Sequence, residues 1–173
     1  MRSERLGARS VLEGVRERFA DRTAQRGRRI VVDAHGALAL DADPLRLRQA
    51  LGNLVDNALR HGGGDIVLGA RRRGDAVEID VGDAGTGFAS DLRERAFERF
   101  ARGDEARGRG GAGLGLAIVR AIAEAHGGTA AIVPGAQTVI RVRLPDVAPG
   151  RPGGTGLARP LVESLEPSQR GLI

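Results

Sequence analysis

The chain has no cysteine, no tryptophan, no tyrosine and no lysine, and its only aromatic residues are four phenylalanines. Without cysteine neither a disulfide framework nor a thiolate metal site can form, which is compatible with a reducing cytoplasm without establishing one. With so few aromatics the core has to be assembled from Leu, Val, Ile and Ala, for which a hydrophobic fraction of 41% suffices. All 27 basic residues are arginine, against 22 acidic ones, for a net charge of +5. Gathered on one face, such an excess would attract nucleic acid or acidic lipid. Here the arginines are scattered among Asp and Glu, and no basic stretch is interleaved with aromatics on which bases could stack. Nucleic acid is therefore not an expected partner. Long hydrophobic runs are missing too. The N-terminus, MRSERLGARSVLEGVRERF, has no signal-peptide core. The most apolar stretch, residues 114–125, is broken by Arg120 and Glu124, so no membrane segment is expected in this chain.

What is there reads as one domain with a tail, given 173 residues. Apolar spacing predicts a helix over 10–26 with Val11, Leu12, Val15, Phe19 and Ala20 on one side, stopped by Gly27. Residues 28–33 and 37–41 are short β-type runs around a His35-Gly36 turn. Asp43-Pro44 then opens a helix: Asp43 can cap free N–H groups, and Pro44 suits the first helical position. Its apolar face is Leu47, Leu51, Leu54, Val55 and Ala58, and Gly62-Gly63-Gly64 ends it. Residues 65–71 and 76–81 predict a hairpin around Gly74-Asp75. In its second strand Val77, Ile79 and Val81 alternate with Glu78 and Asp80, which predicts one buried face and one wetter face. A short helix over 91–100 and a polar, glycine-rich loop over 101–111 follow. The next helix, 114–126, is stopped by Gly127-Gly128, and 129–133 and 138–144 form a closing pair of strands. Residues 146–173 lack periodicity and read as a mostly disordered tail.

Three segments could carry chemistry. In LGNLVDNALRHG, residues 51–62, a helix places Asn53, Asn57 and Arg60 or His61 on one face. Two asparagines one turn apart cost helix propensity, and an amide oxygen is a hard donor suited to Mg²⁺, which usually also holds phosphates. Taken alone, the pair is equally well read as two solvated asparagines. VGDAGTGF, residues 81–88, follows a strand directly, and its glycines let the backbone turn sharply and approach a ligand. Asp83 there could accept from an exocyclic amine, or be an ordinary turn residue. GGAGLGLAIV, residues 110–119, feeds glycines into a helix N-terminus, where free N–H groups and the helix dipole favour phosphate. No Gly-Lys-Ser/Thr is present, so this is not a P-loop. Gly108, Gly110 and Gly113 satisfy GxGxxG, but a polar loop rather than a strand precedes them, which excludes the dinucleotide reading.

Together these segments resemble the ATP-binding catalytic domain of sensor histidine kinases, within the superfamily that includes gyrase, Hsp90 and MutL. LGNLVDNALRHG is similar to its N box, DAGTGF to its G1 box, FERF (residues 97–100) to its F box and GAGLGLAIV to its G2 box. TVIRVRLP, residues 138–145, is similar to its closing strand. The resemblance implies an α+β fold: a two-layer sandwich with a mixed, mostly antiparallel sheet covered on one face by three helices. It divides the chain into a helical linker over 1–27, the remnant of a dimerisation hairpin, an ATP-binding domain over 28–145, and the tail over 146–173.

Its implied cofactors are ATP and Mg²⁺. Asn57 becomes the metal ligand, Asn53 its neighbour facing the triphosphate, and Arg60 and His61 phosphate contacts. Asp83 becomes the adenine reader, with Gly85 and Gly87 shaping that end and Thr138 a hydroxyl beside the base. Gly111, Gly113, Leu114 and Gly115 become the lid hinge and phosphate cradle. Arg60 and Arg102, the latter in a lid able to reach the γ-phosphate, are the implied catalytic residues. Ala84, Phe88 and Gln137 depart from the usual Asn, Ile and Gly without removing a ligand.

Hydrolytic members of the superfamily, and the anti-sigma serine kinases, place a glutamate where this chain has Asn53, which cannot take a proton. The histidine-kinase type is therefore favoured over a stand-alone serine kinase, with a non-catalytic ATP-binding regulatory module as the remaining alternative. In that type the acceptor histidine is followed by an acidic residue on a dimerising hairpin. Neither His35, His61 nor His126 is followed by Asp or Glu. The expected partners are therefore a dimerisation domain, in the same parent protein or in trans, and a response-regulator receiver. A cytoplasmic chain of a parent kinase that itself has a membrane anchor fits this reading.

Overall fold

The computed structural model describes residues 2–88, 93, 95–98, 114–135 and 137–146. Its elements, in chain order, are β1 (Glu4–Gly7), α1 (Ala8–Ala24), β2 (Ile30–Ala34), β3 (Ala39–Ala42), α2 (Pro44–His61), β4 (Ile66–Arg73), β5 (Ala76–Asp83), α3 (Gly115–Ala125), β6 (Thr129–Val133) and β7 (Thr138–Pro145). Five strands form one sheet in the order β2-β4-β5-β7-β6, and β1 pairs with β3 in a two-stranded sheet. The β2–β4 pair is parallel and the other pairs are antiparallel. This is the expected α+β sandwich, a mixed sheet packed against three helices.

Local chemistry explains α2 well. Asp43 Oδ1 accepts from the amides of Leu45 and Arg46 at 3.1 Å each, and Pro44 stands at the helix start. Leu47, Leu51, Leu54, Val55 and Ala58 are buried, as the 3.6-residue period requires. In α1, Val11, Leu12, Val15 and Phe19 are buried, but Ala20, expected beside them, is exposed. Thr23 takes the place at the end of the stripe. Its hydroxyl donates to the carbonyls of Phe19 and Ala20 at 3.0 and 2.8 Å, so a polar group can be buried there. The helix read from sequence as a linker ahead of the domain thus belongs to the same core as α2 and α3. The strand before it, β1, is held by β3 and by Arg5, which pairs with Asp41 and Asp146 at 2.8 Å each.

The alternation in β5 has a different outcome from the one expected. Val77, Ile79 and Val81 do face the core, but Glu78 and Asp80 are buried as well, at 6% and 1% exposure. Arginines from both neighbouring strands cover them: Arg71 of β4 reaches Glu78 at 3.0 Å and Asp80 at 2.8 Å, and Arg141 of β7 reaches Asp80 at 2.8 Å. The polar face of the central strand is therefore an ion-paired layer rather than a wet one. Of the helix expected at 91–100, only Arg93 and residues 95–98 are described, with Ala96 and Phe97 buried. The lid loop over 101–111 and the tail beyond Asp146 lie outside the described residues.

Candidate nucleotide-binding site

The middle and the C-terminal end of α2 organise the site. At its C-terminal end, Asp83 closes β5 and packs against the glycines that terminate the helix. Its Oδ1 accepts from the amides of Gly85 at 2.7 Å and Gly63 at 3.2 Å, and the Thr138 hydroxyl also bonds to it. The side chain is buried, at 2% exposure. Burial pushes its pKa above the ordinary carboxylate value, opposed in part by those hydrogen bonds and by the charge of Arg28. A buried carboxylate fixed by two backbone amides is an oriented acceptor.

The approach is so close that side chains are excluded around it. A Cβ on Gly62 would overlap the Asp83 carboxylate and the Ala58 carbonyl, and one on Gly85 would lie 2.6 Å from Asp83 Oδ1. Gly87 has φ +79, the left-handed region that favours glycine. Phe88, partly buried, packs against the core.

Nearer the middle of α2, Asn53 and Asn57 are both half-buried. Asn53 Nδ2 donates to the carbonyl of Gly115 at 3.4 Å, which sets the start of α3 beside the asparagines. Leu114 occupies the N-cap of α3, and its own side chain makes no capping bond there. The first amides of a helix lack intrahelical partners, which makes this end a candidate anion site. Arg60 and His61 are exposed in the last turn of α2. From Asn53 to Gly62 the helix rises on the order of 13 Å, room for a base at one end and a phosphate chain along the other.

The structure therefore brings together Asn53, Leu114 and Gly115 at one end and Asp83, Gly85 and Thr138 at the other, with Asn57 between them on α2. Gly87 follows in the loop after Asp83. Arg102, Gly111 and Gly113 lie outside the described residues. Gly62 and Gly63, read from sequence as a helix stop, turn out to be part of the site. A run of three glycines, longer than a helix stop needs, was the available signal. Arg28 was missed altogether. An open hollow of about 280 Å³ lined by Arg93, Phe97, Arg120 and residues of β6 holds none of these residues. Among the described residues no three His, Cys, Asp or Glu side chains gather into a metal cluster, and no helix is long and apolar enough to cross a membrane.

Residues 42–148 match the family described as histidine kinase-, DNA gyrase B- and HSP90-like ATPase. The chain belongs to that family. It is 43% identical over 130 residues to sensor histidine kinase component HK1 of Mycobacterium tuberculosis, covering 74% of this chain and 77% of HK1. At 44% identity over 119 residues it is similar to the sensor-like histidine kinase SenX3 of the same species, of which it spans only 29%, with 65% of this chain covered. Among solved structures, the histidine kinase domain of the Escherichia coli osmosensor EnvZ superposes with a TM-score of 0.67 at 30% identity, covering 90% of this chain and 96% of that one. ShkA in complex with AMPPNP gives a TM-score of 0.73 at 31% identity, over 87% of this chain and 33% of that one.

Proposed function

We propose that this chain is the nucleotide half of a two-component sensor histidine kinase. It binds Mg-ATP and donates the γ-phosphoryl group to a histidine on a dimerisation domain, from which the group passes to a response regulator. The observation that carries the reading is the placement of α2. One helix holds the Asn53–Gly115 junction and the start of α3 near its middle and the buried Asp83 at its C-terminal end. Asp83 accepts from the adenine amino group, while Gly62, Gly63, Gly85 and Thr138 fix the carboxylate in place. The first amides of α3 hold phosphate, helped by Arg60 and His61 and by Arg102, Gly111 and Gly113.

Magnesium suits this donor set. It takes one or two protein oxygens and completes its shell with phosphates and water, and Asn57 offers one amide oxygen on the same helix face as Asn53. The bound ion would neutralise charge on the phosphates. Asn53 stands where a base for water activation would be needed, which favours transfer to a side chain over hydrolysis. Transfer requires the acceptor in line with the γ-phosphate. The three histidines of the chain lack the following acidic residue of that acceptor type. The relative HK1 is itself described as a kinase component, which supports an acceptor held elsewhere in the assembly.

Incubation with γ-labelled ATP and the helical hairpin of a related kinase tests this. Acid-labile, base-stable label on the hairpin is expected. Tight ATP binding with no label on any hairpin offered would leave a binding module only. In the same preparation Asn57→Ala should weaken nucleotide binding in Mg²⁺ more than in EDTA, and equal loss in both would remove Asn57 as the metal ligand.

A further inference from the structure

Arg28 lies on the short link between α1 and β2, and its whole guanidinium is spent on the C-terminal end of α2. Nη1 donates to the carbonyl of Ala58 at 2.8 Å and Nη2 to that of Gly63 at 3.1 Å, while Nε donates to that of Gly64. The backbone amide of Arg28 donates to Thr23 at 3.0 Å, so the residue is anchored to the end of α1. The carbonyls it takes lie at and just beyond the negative end of the helix dipole, and those of Ala58 and Gly63 each accept a backbone amide as well. Two of the residues it holds also define the Asp83 pocket. Ala58 accepts the Gly62 amide at 2.9 Å, and Gly63 accepts from Ala84 at 2.8 Å through its carbonyl while donating to Asp83 Oδ1 through its amide. One residue, through its amide and its carbonyl, thus joins the guanidinium, the carboxylate and the loop that follows it.

We infer that Arg28 is a positioning residue for base recognition: it fixes the Gly62–Gly64 segment so that the Gly63 amide and the Gly62 Cα present Asp83 to the adenine amine. This rests on the reading of Asp83 as the adenine acceptor. A segment of three glycines has the largest backbone entropy to lose of any sequence, and helix C-terminal glycines normally close a Schellman or left-handed turn. Gly62 instead has φ −91 and ψ −178, an extended exit from the helix. With Gly62 extended rather than left-handed, the planar fork of Arg28 ties the Ala58, Gly63 and Gly64 carbonyls together instead. Lysine, with one ammonium centre, cannot span three carbonyls in this way. Arg26 assists by donating to the carbonyl of the adjacent Leu59.

The experiment compares Mg-ATP and Mg-GTP binding by calorimetry for the full chain, Arg28→Ala, Arg28→Met and Asp83→Asn, with amide exchange at Gly63 and Ala84 followed by NMR. Arg28→Met keeps the aliphatic stem and serves where the alanine variant fails to fold. Loss of the donors should weaken ATP by about tenfold, the equivalent of one charge-assisted hydrogen bond. GTP should change less, so the preference for ATP shrinks, and the Gly63 and Ala84 amides should exchange faster. Combined with Asp83→Asn, the Arg28 change should cost almost nothing further, because both act on one carboxylate. A variant that keeps the wild-type ATP preference, or loses ATP and GTP equally, overturns the inference about Arg28. If Asp83→Asn itself leaves the preference intact, the adenine-reading role of Asp83 fails instead.

Discussion

Gly62→Ala is the sharpest test of how tightly the nucleotide end is built. Gly62 has φ −91 and ψ −178, a conformation open to any residue, so backbone strain does not enter. The effect is steric alone. A Cβ there would overlap Asp83 Oδ1 and Cγ and also the Ala58 carbonyl, two of them atoms of a buried carboxylate and one of them helix backbone. None is the far end of a flexible chain. Overpacking of this kind costs about 1–3 kcal/mol, which for a domain of this size is a melting shift of roughly 3–10 °C. Relief requires Asp83 to move away, which strains or breaks its bonds to Gly63 and Gly85. A displaced charged acceptor forfeits about 1.5–3 kcal/mol, or roughly 10- to 150-fold in adenine-nucleotide affinity. The control is its neighbour. A Cβ on Gly63 would meet nothing closer than 3.5 Å, an ordinary contact, so Gly63→Ala should stay within about 0.5 kcal/mol of wild type. Scanning calorimetry and nucleotide titration on the two variants decide the matter. Equal behaviour of the two would refute the close packing of Asp83 on the helix end.

Other changes separate folding from binding. Burial raises the Asp83 pKa above its unfolded value, so this group favours the folded state at low pH and that contribution is lost as pH rises through the folded pKa. Asp83→Asn should therefore melt no lower than wild type at neutral pH while binding ATP more weakly. In wild type, ATP binding should weaken on acidification at a pH above the ordinary carboxylate range, a step absent from the Asn variant. Asp80→Ala removes the partner of two arginines from a site at 1% exposure and should destabilise the fold by about 3 kcal/mol in urea unfolding, with nucleotide affinity unchanged in the folded protein. His126→Ala loses the bond that the Asp43 amide donates to Nε2 at 3.0 Å and the one between Nδ1 and the Ile122 carbonyl at 2.7 Å, which together should lower stability by roughly 1–2 kcal/mol. A variant that melts with wild type would mean that the tie between α2 and α3 contributes nothing.

The features that could be read from sequence are those whose cause is local. The N-cap, proline and apolar stripe of α2 all lie within one segment, and each does in the fold what its chemistry suggests. The β4–β5 hairpin is equally local, with Gly74 at φ +60 in the turn. The strand β1 was invisible because it is four residues long, mostly exposed, and meaningful only against β3. The burial of Glu78 and Asp80 was invisible for the same reason: period-2 alternation reports polarity, and the arginines that neutralise it come from β4 and β7. The candidate site divides in the same way. Asn53, Asn57 and Asp83 were legible as residue types in a recognisable order. That Asp83 is seated on Gly62, and that the seat is held by Arg28, depends on three segments meeting. A family pattern can assign the acceptor, but its orientation comes from carbonyls and amides that every residue carries and no side-chain pattern records. The helix that contributes most to the core is also the helix whose end shapes the pocket, so the fit of nucleotide to this chain is decided largely by how that helix is allowed to stop.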